Sequence, residues 1–178
     1  HARQGCAEPI EIASDGHIEQ VEITSCGLNG GALPCGRAYP ASICCYLVEP
    51  AGAVHYSGNL EIADNHPVIT QEVDAGCVTS ARTHVANLCD GAGVGYKYLA
   101  FSGAERTVEL EVRGDLAGVV SVRLDAPDGA ELTRVELVPG EGWCTVVAPL
   151  TKTVAGDHAL YLAIEGVGSV DLASFAIL

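Results

Sequence analysis

The chain has 178 residues, enough for one domain with a sizeable core or one domain with an extension. Acidic residues outnumber basic ones 23 to 9, and the formal charge of −14 argues against nucleic acid and anionic membranes as partners. No apolar run approaches the ~20 residues that cross a bilayer, and no basic segment leads into an apolar one as in a signal peptide. The first residue is His1, so the sequence reads as a processed product or an excised piece of a longer chain.

In chain order, residues 1–28 form a separate unit. Ile10-Glu11-Ile12 and Val21-Glu22-Ile23 alternate as short strands around the turn signal Ser14-Asp15-Gly16-His17. An isolated hairpin is marginal in water, so this one has to dock on something. Centring the turn on Asp15-Gly16 sets Ser14 against His17. Cys6 and Cys26 are then one residue out of register, and a small bulge would bring them within disulfide reach. Residues 29–65, rich in Gly, Pro and Ala, read as an irregular connector, and a connection of that length marks a domain boundary.

Period-two alternation takes over in the second half. Val108, Leu110 and Val112 share one strand face, with Glu109, Glu111 and Arg113 on the other. Val120, Val122 and Leu124 repeat the pattern around Ser121 and Arg123, followed by Val135 and Leu137, then Leu160, Leu162 and Ile164. Turn signals at Arg113-Gly114-Asp115, Pro127-Asp128-Gly129, Pro139-Gly140, Gly156-Asp157 and Gly166-Val167-Gly168 separate these runs. Half-buried antiparallel strands with no amphipathic helix between them predict an all-β sandwich or barrel. The sole tryptophan, Trp143, follows the turn-like Pro139-Gly140-Glu141-Gly142, an unusual place for a core residue.

Catalytic signatures are scarce. There is no G-x-S-x-G elbow and no Walker loop. Gly91-Ala92-Gly93-Val94-Gly95 precedes a strand-like segment, so it reads as a turn at a strand entrance rather than a phosphate cradle. The six histidines are scattered, and Asp157-His158 are only sequence neighbours. Cys89-Asp90 lacks the positive charge that activates a thiol. Glu109, Glu111, Asp125 and Glu136 read as a solvated surface, with no sign of the convergent acid pair of a glycosidase. None of the eight cysteines is spaced C-x-x-C, and both a disulfide framework and free buried thiols fit the count.

Several motifs occur together in an informative order. VVSVRLDAPDGAELTRVELVPGEGWCTVVAPLTKTVAGDHALYLAIEGVGSVDLASFAIL carries a strand ending in L-D-x-P-x-G, then a G-x-G-W turn, a G-x-H-x-L-Y-L strand and a closing strand with Phe. This segment resembles the C-terminal half of a family 6 carbohydrate-binding module. HPVITQEVDAG and VANLCDGAGVGYKYLAF resemble its first half, so the resemblance covers residues 66–178. The earlier stretch CAEPIEIASDGHIEQVEITSCGLNGGALP resembles the end of a family 43 glycoside hydrolase catalytic domain with its connector. That family acts on xylan and arabinan from a five-bladed propeller using three carboxylates, and the blades that would carry them are not in this sequence.

The resemblance implies a jelly-roll sandwich of the galactose-binding-domain type over 66–178, preceded by the hairpin 1–28 and the connector 29–65. It implies a non-catalytic module that binds oligosaccharide or polysaccharide and works beside the catalytic domain of a parent hydrolase. The alternative is an architectural domain that packs on that catalytic domain without binding sugar. The family site implies Trp143 on an end loop as the stacking platform, with Asn87 and Asp171 as hydrogen-bonding partners. Tyr96, or Tyr98, would supply a second aromatic. The competing reading makes Trp143 a cap on the open end of the core and both tyrosines core residues. A structural calcium in the family uses an early-strand Glu and a last-strand Asp. Here Glu72 stands at the first position but Ala173 at the second, so no cofactor is assigned. A bacterial extracellular setting and a cytoplasmic one both remain open.

Overall fold

A computed structural model describes residues 6–50, 66–72 and 82–178. The strands are β1 (Leu33–Pro34), β2 (Ala38–Pro40), β3 (Tyr46–Val48), β4 (Val68–Glu72), β5 (Arg82–Cys89), β6 (Gly93–Ser102), β7 (Thr107–Gly114), β8 (Ala117–Leu124), β9 (Glu131–Leu137), β10 (Gly140–Pro149), β11 (Ala155–Val167) and β12 (Ser169–Ile177). They form two six-stranded sheets. One runs β1-β6-β11-β8-β9 with β3 also on β6, and the other β10-β7-β12-β5-β4 with β2 also on β12. Among the described residues only β1 on β6 pairs in parallel. Among the described residues no helix is long and apolar enough to cross a membrane.

The alternation in the sequence places the core. Val108, Leu110 and Val112 of β7 face Val120 and Val122 of β8, Val135 and Leu137 of β9, and Leu160, Leu162 and Ile164 of β11 in one buried cluster. Ser121 lies on the outward face as its register demands, yet it is buried, and its hydroxyl is satisfied by donating to Glu131 Oε2 at 2.7 Å. The β7–β8 corner needs glycine. Gly114 has φ +147°, and a Cβ there would run into the Ser169 carbonyl oxygen.

The stretch 29–65 is not a plain connector. Its described part, up to residue 50, supplies β1, β2 and β3, which bond to β6 and β12. Tyr39 packs on Phe175 with ring centroids 5.9 Å apart, and Ala41 is buried. The sandwich therefore starts well before residue 66. Strands of two or three residues show no periodicity of their own; they exist because long strands already present unpaired edges. Residues 51–65 of that expectation lie outside the described residues.

The N-terminal hairpin is present as a turn and one bridge, Ile12 to Ile18. Its register is one residue off the expected one. Ala13, not Ser14, stands opposite His17, with Ala13 N donating to His17 O at 2.9 Å. The cause is a three-residue loop in which Gly16 adopts φ +86°, the left-handed position of a type I turn with a bulge. Cys6 and Cys26 are free thiols, as are the other described cysteines; Cys77 lies outside the described residues. The Cys26 thiol instead donates to the Lys97 carbonyl at 3.4 Å. Glu22 bonds Lys97 Nζ at 2.7 Å and accepts from the Tyr98 hydroxyl at 2.9 Å, so the base of the hairpin is tied to β6. Ile10, Ile12, Ile18, Val21 and Ile23 remain exposed.

Candidate ligand face around Trp143

In β7 the alternation that buries Val112 turns Arg113 and Glu111 to the outer face of the second sheet. There, side chains from β4, β5, β7, β10 and β12 converge on Trp143. The residue sits within β10, half-buried on the face of the sheet rather than on a loop at the end of the sandwich. The reason is local: β10 begins directly after the Pro139 turn, and a register irregularity between Gly140 and Cys144 folds the G-x-G-W segment into the edge strand.

The indole is hemmed in by polar groups. The Arg113 guanidinium carbon lies 4.4 Å from the ring centroid and that of Arg82 5.0 Å from it, both in cation–π range. His84 meets the ring edge-on, centroids 5.4 Å apart. The indole N–H donates to Glu72 Oε2 at 3.4 Å.

Arg113 is the hub. Its Nη1 pairs with Glu72, and its Nη2 and Nε donate to Asp171 Oδ2 at 2.8 and 3.3 Å. The hydrogen bond from Arg113 holds the Glu72 carboxyl below the usual carboxylate value, while Asp171 and Glu72 together raise the guanidinium's own pKa. Asp171 Oδ1 accepts from Asn87 N at 3.1 Å. Asn87 is left-handed at φ +62°, next to the point where the β5–β12 register shifts between Val170 and Leu172. Its amide donates to the His66 carbonyl at 3.2 Å, and His66 Nδ1 lies 2.8 Å from Glu49. Arg82 pairs with Glu111 at 2.8 Å, which also accepts from Ser174 Oγ at 3.0 Å. At the end of this face, Arg113, Gly114, Asp115, Pro139, Gly140 and Glu141 line an open cleft of about 350 Å³.

Three of the expected site residues, Trp143, Asn87 and Asp171, thus belong to one connected network. Tyr96 does not. It is fully buried between the sheets, its ring centroid 4.0 Å from that of Phe175 and its hydroxyl donating to the Ala41 carbonyl at 3.2 Å. Its inward register alongside Val94 forces this placement. Tyr98 is spent on Glu22 at the hairpin base. Arg113, Arg82 and His84 were not singled out from the sequence. The available signal was the scarcity of cations, nine arginines and lysines in the whole chain, with Arg113 on the outward side of the β7 alternation. His158 pairs with Asp125, its Nδ1 2.9 Å from Oδ2, and not with Asp157. As for calcium, Glu72 is committed to Arg113 and Ala173 offers no ligand. Among the described residues no group of three or more His, Cys, Asp or Glu converges on a metal position.

The fold is that of the family 6 carbohydrate-binding modules. A module from Clostridium stercorarium solved with cellobiose superposes with a TM-score of 0.64 at 18% identity, covering 83% of this chain and 97% of that one. A β-1,3-glucan-binding family 6 module from Bacillus halodurans gives 0.64 at 17%, covering 83% and 98%. A family 43 arabinoxylan arabinofuranohydrolase from Bacillus subtilis, solved with cellotetraose, gives 0.65 at 16%, with 94% of this chain matched to 32% of that one. In sequence, the chain is 35% identical over 177 residues to a xylosidase/arabinosidase of Thermoclostridium stercorarium. It spans 36% of that protein's length, while 99% of this chain is covered. No family model matches the chain.

Proposed function

We propose that this chain is a non-catalytic carbohydrate-binding sandwich of a longer xylan- or arabinan-directed glycoside hydrolase, and that it meets saccharide through the face around Trp143. The observation that carries this reading is the convergence of Trp143, Asp171 and Asn87 on one sheet face of a fold shared with saccharide-binding modules. An indole presents an apolar, electron-rich surface to the C–H groups of a sugar ring, while Asn87 and the carboxylates offer hydrogen-bonding partners at its side. Catalysis by these acids is disfavoured. Glu72 and Asp171 are both bound to Arg113, so neither is a free acid or nucleophile. A tethered module raises the local concentration of substrate for its enzyme without chemistry of its own.

One aromatic contact with few polar partners leaves little surplus after the costs of association, so a dissociation constant of about 0.1–1 mM is expected. A neutral pentose or hexose polymer suits the acidic surface better than a uronate-rich one. Calorimetric titration with xylohexaose and with arabinohexaose tests the reading. Trp143→Ala should abolish the heat of binding, and undiminished binding by that variant would refute it.

A second reading has its own support in the exposed isoleucines of the N-terminal hairpin, Ile10, Ile12, Ile18 and Ile23. Exposed apolar side chains of this kind suit packing against a catalytic domain, which makes the chain architectural. In the full-length hydrolase, Ile12→Asp together with Ile23→Asp would then lower the unfolding temperature. Unchanged melting of that double variant argues against the packing role.

A further inference from the structure

The geometry points to Arg82 as a displaceable latch on Trp143, a side chain that occupies the stacking surface of the indole until saccharide moves it aside. This inference rests on the reading of the Trp143 face as the saccharide site.

Among the described residues, Arg113, Arg82 and His84 lie over or against the ring of Trp143, and they differ in how firmly they are held. Arg113 is fixed. It pairs with two carboxylates through three of its nitrogens and is 28% exposed. Moving it would leave Glu72 and Asp171 unpaired against each other. His84 is fixed too, with its side chain only 4% exposed beneath the indole edge. Arg82 differs. Its side chain is 42% exposed, and among the described residues its guanidinium has one carboxylate partner, Glu111.

Position supports the same distinction. In the sheet order β10-β7-β12-β5, Arg82 on β5 is separated from Trp143 on β10 by two strands. Its side chain spans β12 to reach both Glu111 on β7 and the indole. A long, flexible side chain held across that distance by one exposed ion pair and one cation–π contact is weakly restrained, because each contact adds little in water and ordering the side chain opposes it. A saccharide ring that stacks on the indole exchanges the Arg82 contact for its own C–H contacts, and Arg82 swings into solvent.

Two consequences distinguish a latch from a ligand-binding arginine. Removing Arg82 should strengthen binding, since the contact no longer has to be broken. Raising salt should strengthen binding to the native chain, since screening loosens the exposed Arg82–Glu111 pair while leaving a neutral sugar untouched.

The test is titration of xylohexaose into the native chain, Arg82→Ala, Glu111→Gln and Trp143→Ala, read by calorimetry and by the emission of the sole tryptophan. Arg82→Ala should bind roughly three- to tenfold more tightly, the range that loss of one cation–π contact and one exposed ion pair allows. Glu111→Gln, which keeps Arg82 but loosens its anchor, should shift affinity the same way by a smaller factor. Between about 20 mM and 0.5 M salt, affinity should rise for the native chain and stay flat for Arg82→Ala. Without ligand, Arg82→Ala should already alter the indole emission, because a cation has left the ring. If Arg82→Ala binds equally or more weakly while Trp143→Ala abolishes binding, the latch is wrong and the saccharide face stands. If Trp143→Ala binds like the native chain, or if neither the native chain nor Arg82→Ala binds, the saccharide face itself falls and the latch with it.

Discussion

The Arg113 guanidinium lies 4.4 Å over the ring of Trp143 while its nitrogens are held by Asp171 and Glu72. The sole tryptophan is therefore neither a core plug nor a bare loop aromatic. It rests against a cation that two carboxylates hold in place, and the same arrangement couples the indole to Asn87 through Asp171.

That coupling bears on stability. Trp143→Ala removes a half-buried ring from an edge strand, so its cost should fall below the ~3–5 kcal/mol of a fully buried Trp, at about 1–2 kcal/mol. Urea unfolding of the variant measures this. A loss near the upper figure would mean that the indole acts as core.

Arg113→Ala should be worse tolerated than Arg82→Ala. It strips the shared cation from two carboxylates, one of them also tied to Asn87. Partly buried carboxylates without a counter-ion destabilise more than a broken exposed pair does. The two variants compared by thermal unfolding should show the larger drop for Arg113→Ala, and equal drops would contradict the hub assignment.

Acid should weaken the same network. The folded-state pKa of Glu72 is depressed below the usual 4.5, first by the hydrogen bond from Arg113. Its contribution is therefore fully present above about 4.5 and is lost as the pH falls through the lower folded value. The stability difference between the native chain and Glu72→Gln should be constant near neutral pH and shrink below pH 4.5, as followed by denaturant unfolding across pH. A difference that persists unchanged to pH 2 would remove Glu72 from the pairing.

Thiol reactivity should sort by burial. Desolvation pushes the Cys35 and Cys44 thiols up to about 12, whereas Cys6 and Cys144 are exposed. At mildly alkaline pH, iodoacetamide should modify Cys6 and Cys144 first and leave Cys35 and Cys44 unmodified until the chain is unfolded. Peptide mass spectrometry of the alkylated chain reports the order.

Tyr96 offers a contrast with Trp143. Tyr96→Phe keeps the ring against Phe175 and removes one of two donors to the Ala41 carbonyl, which still accepts from Cys44 N at 3.2 Å. A loss of about 0.5–1.5 kcal/mol is expected, with saccharide binding unchanged. Altered binding by this variant would bring Tyr96 back into the site.

The long strands were legible in the sequence because period-two alternation is a local property. Val108, Leu110 and Val112, or Leu160, Leu162 and Ile164, declare their buried face without reference to any partner. The motifs around Trp143 pointed to the sandwich type for the same reason, since turns and strands follow in a fixed order along the chain. Tertiary structure alone decided the rest. β1, β2 and β3 are too short to carry a period and exist only by pairing with the edges of β6 and β12. The site residues were legible singly, but their company was not. Glu72, Arg82, His84 and Arg113 reach Trp143 from strands distant in sequence because the sheet order β10-β7-β12-β5-β4 interleaves the two halves of the chain. Non-local pairing of that kind leaves no periodic trace, so an arginine on an outward strand position reads as solvated until the neighbouring strands are known.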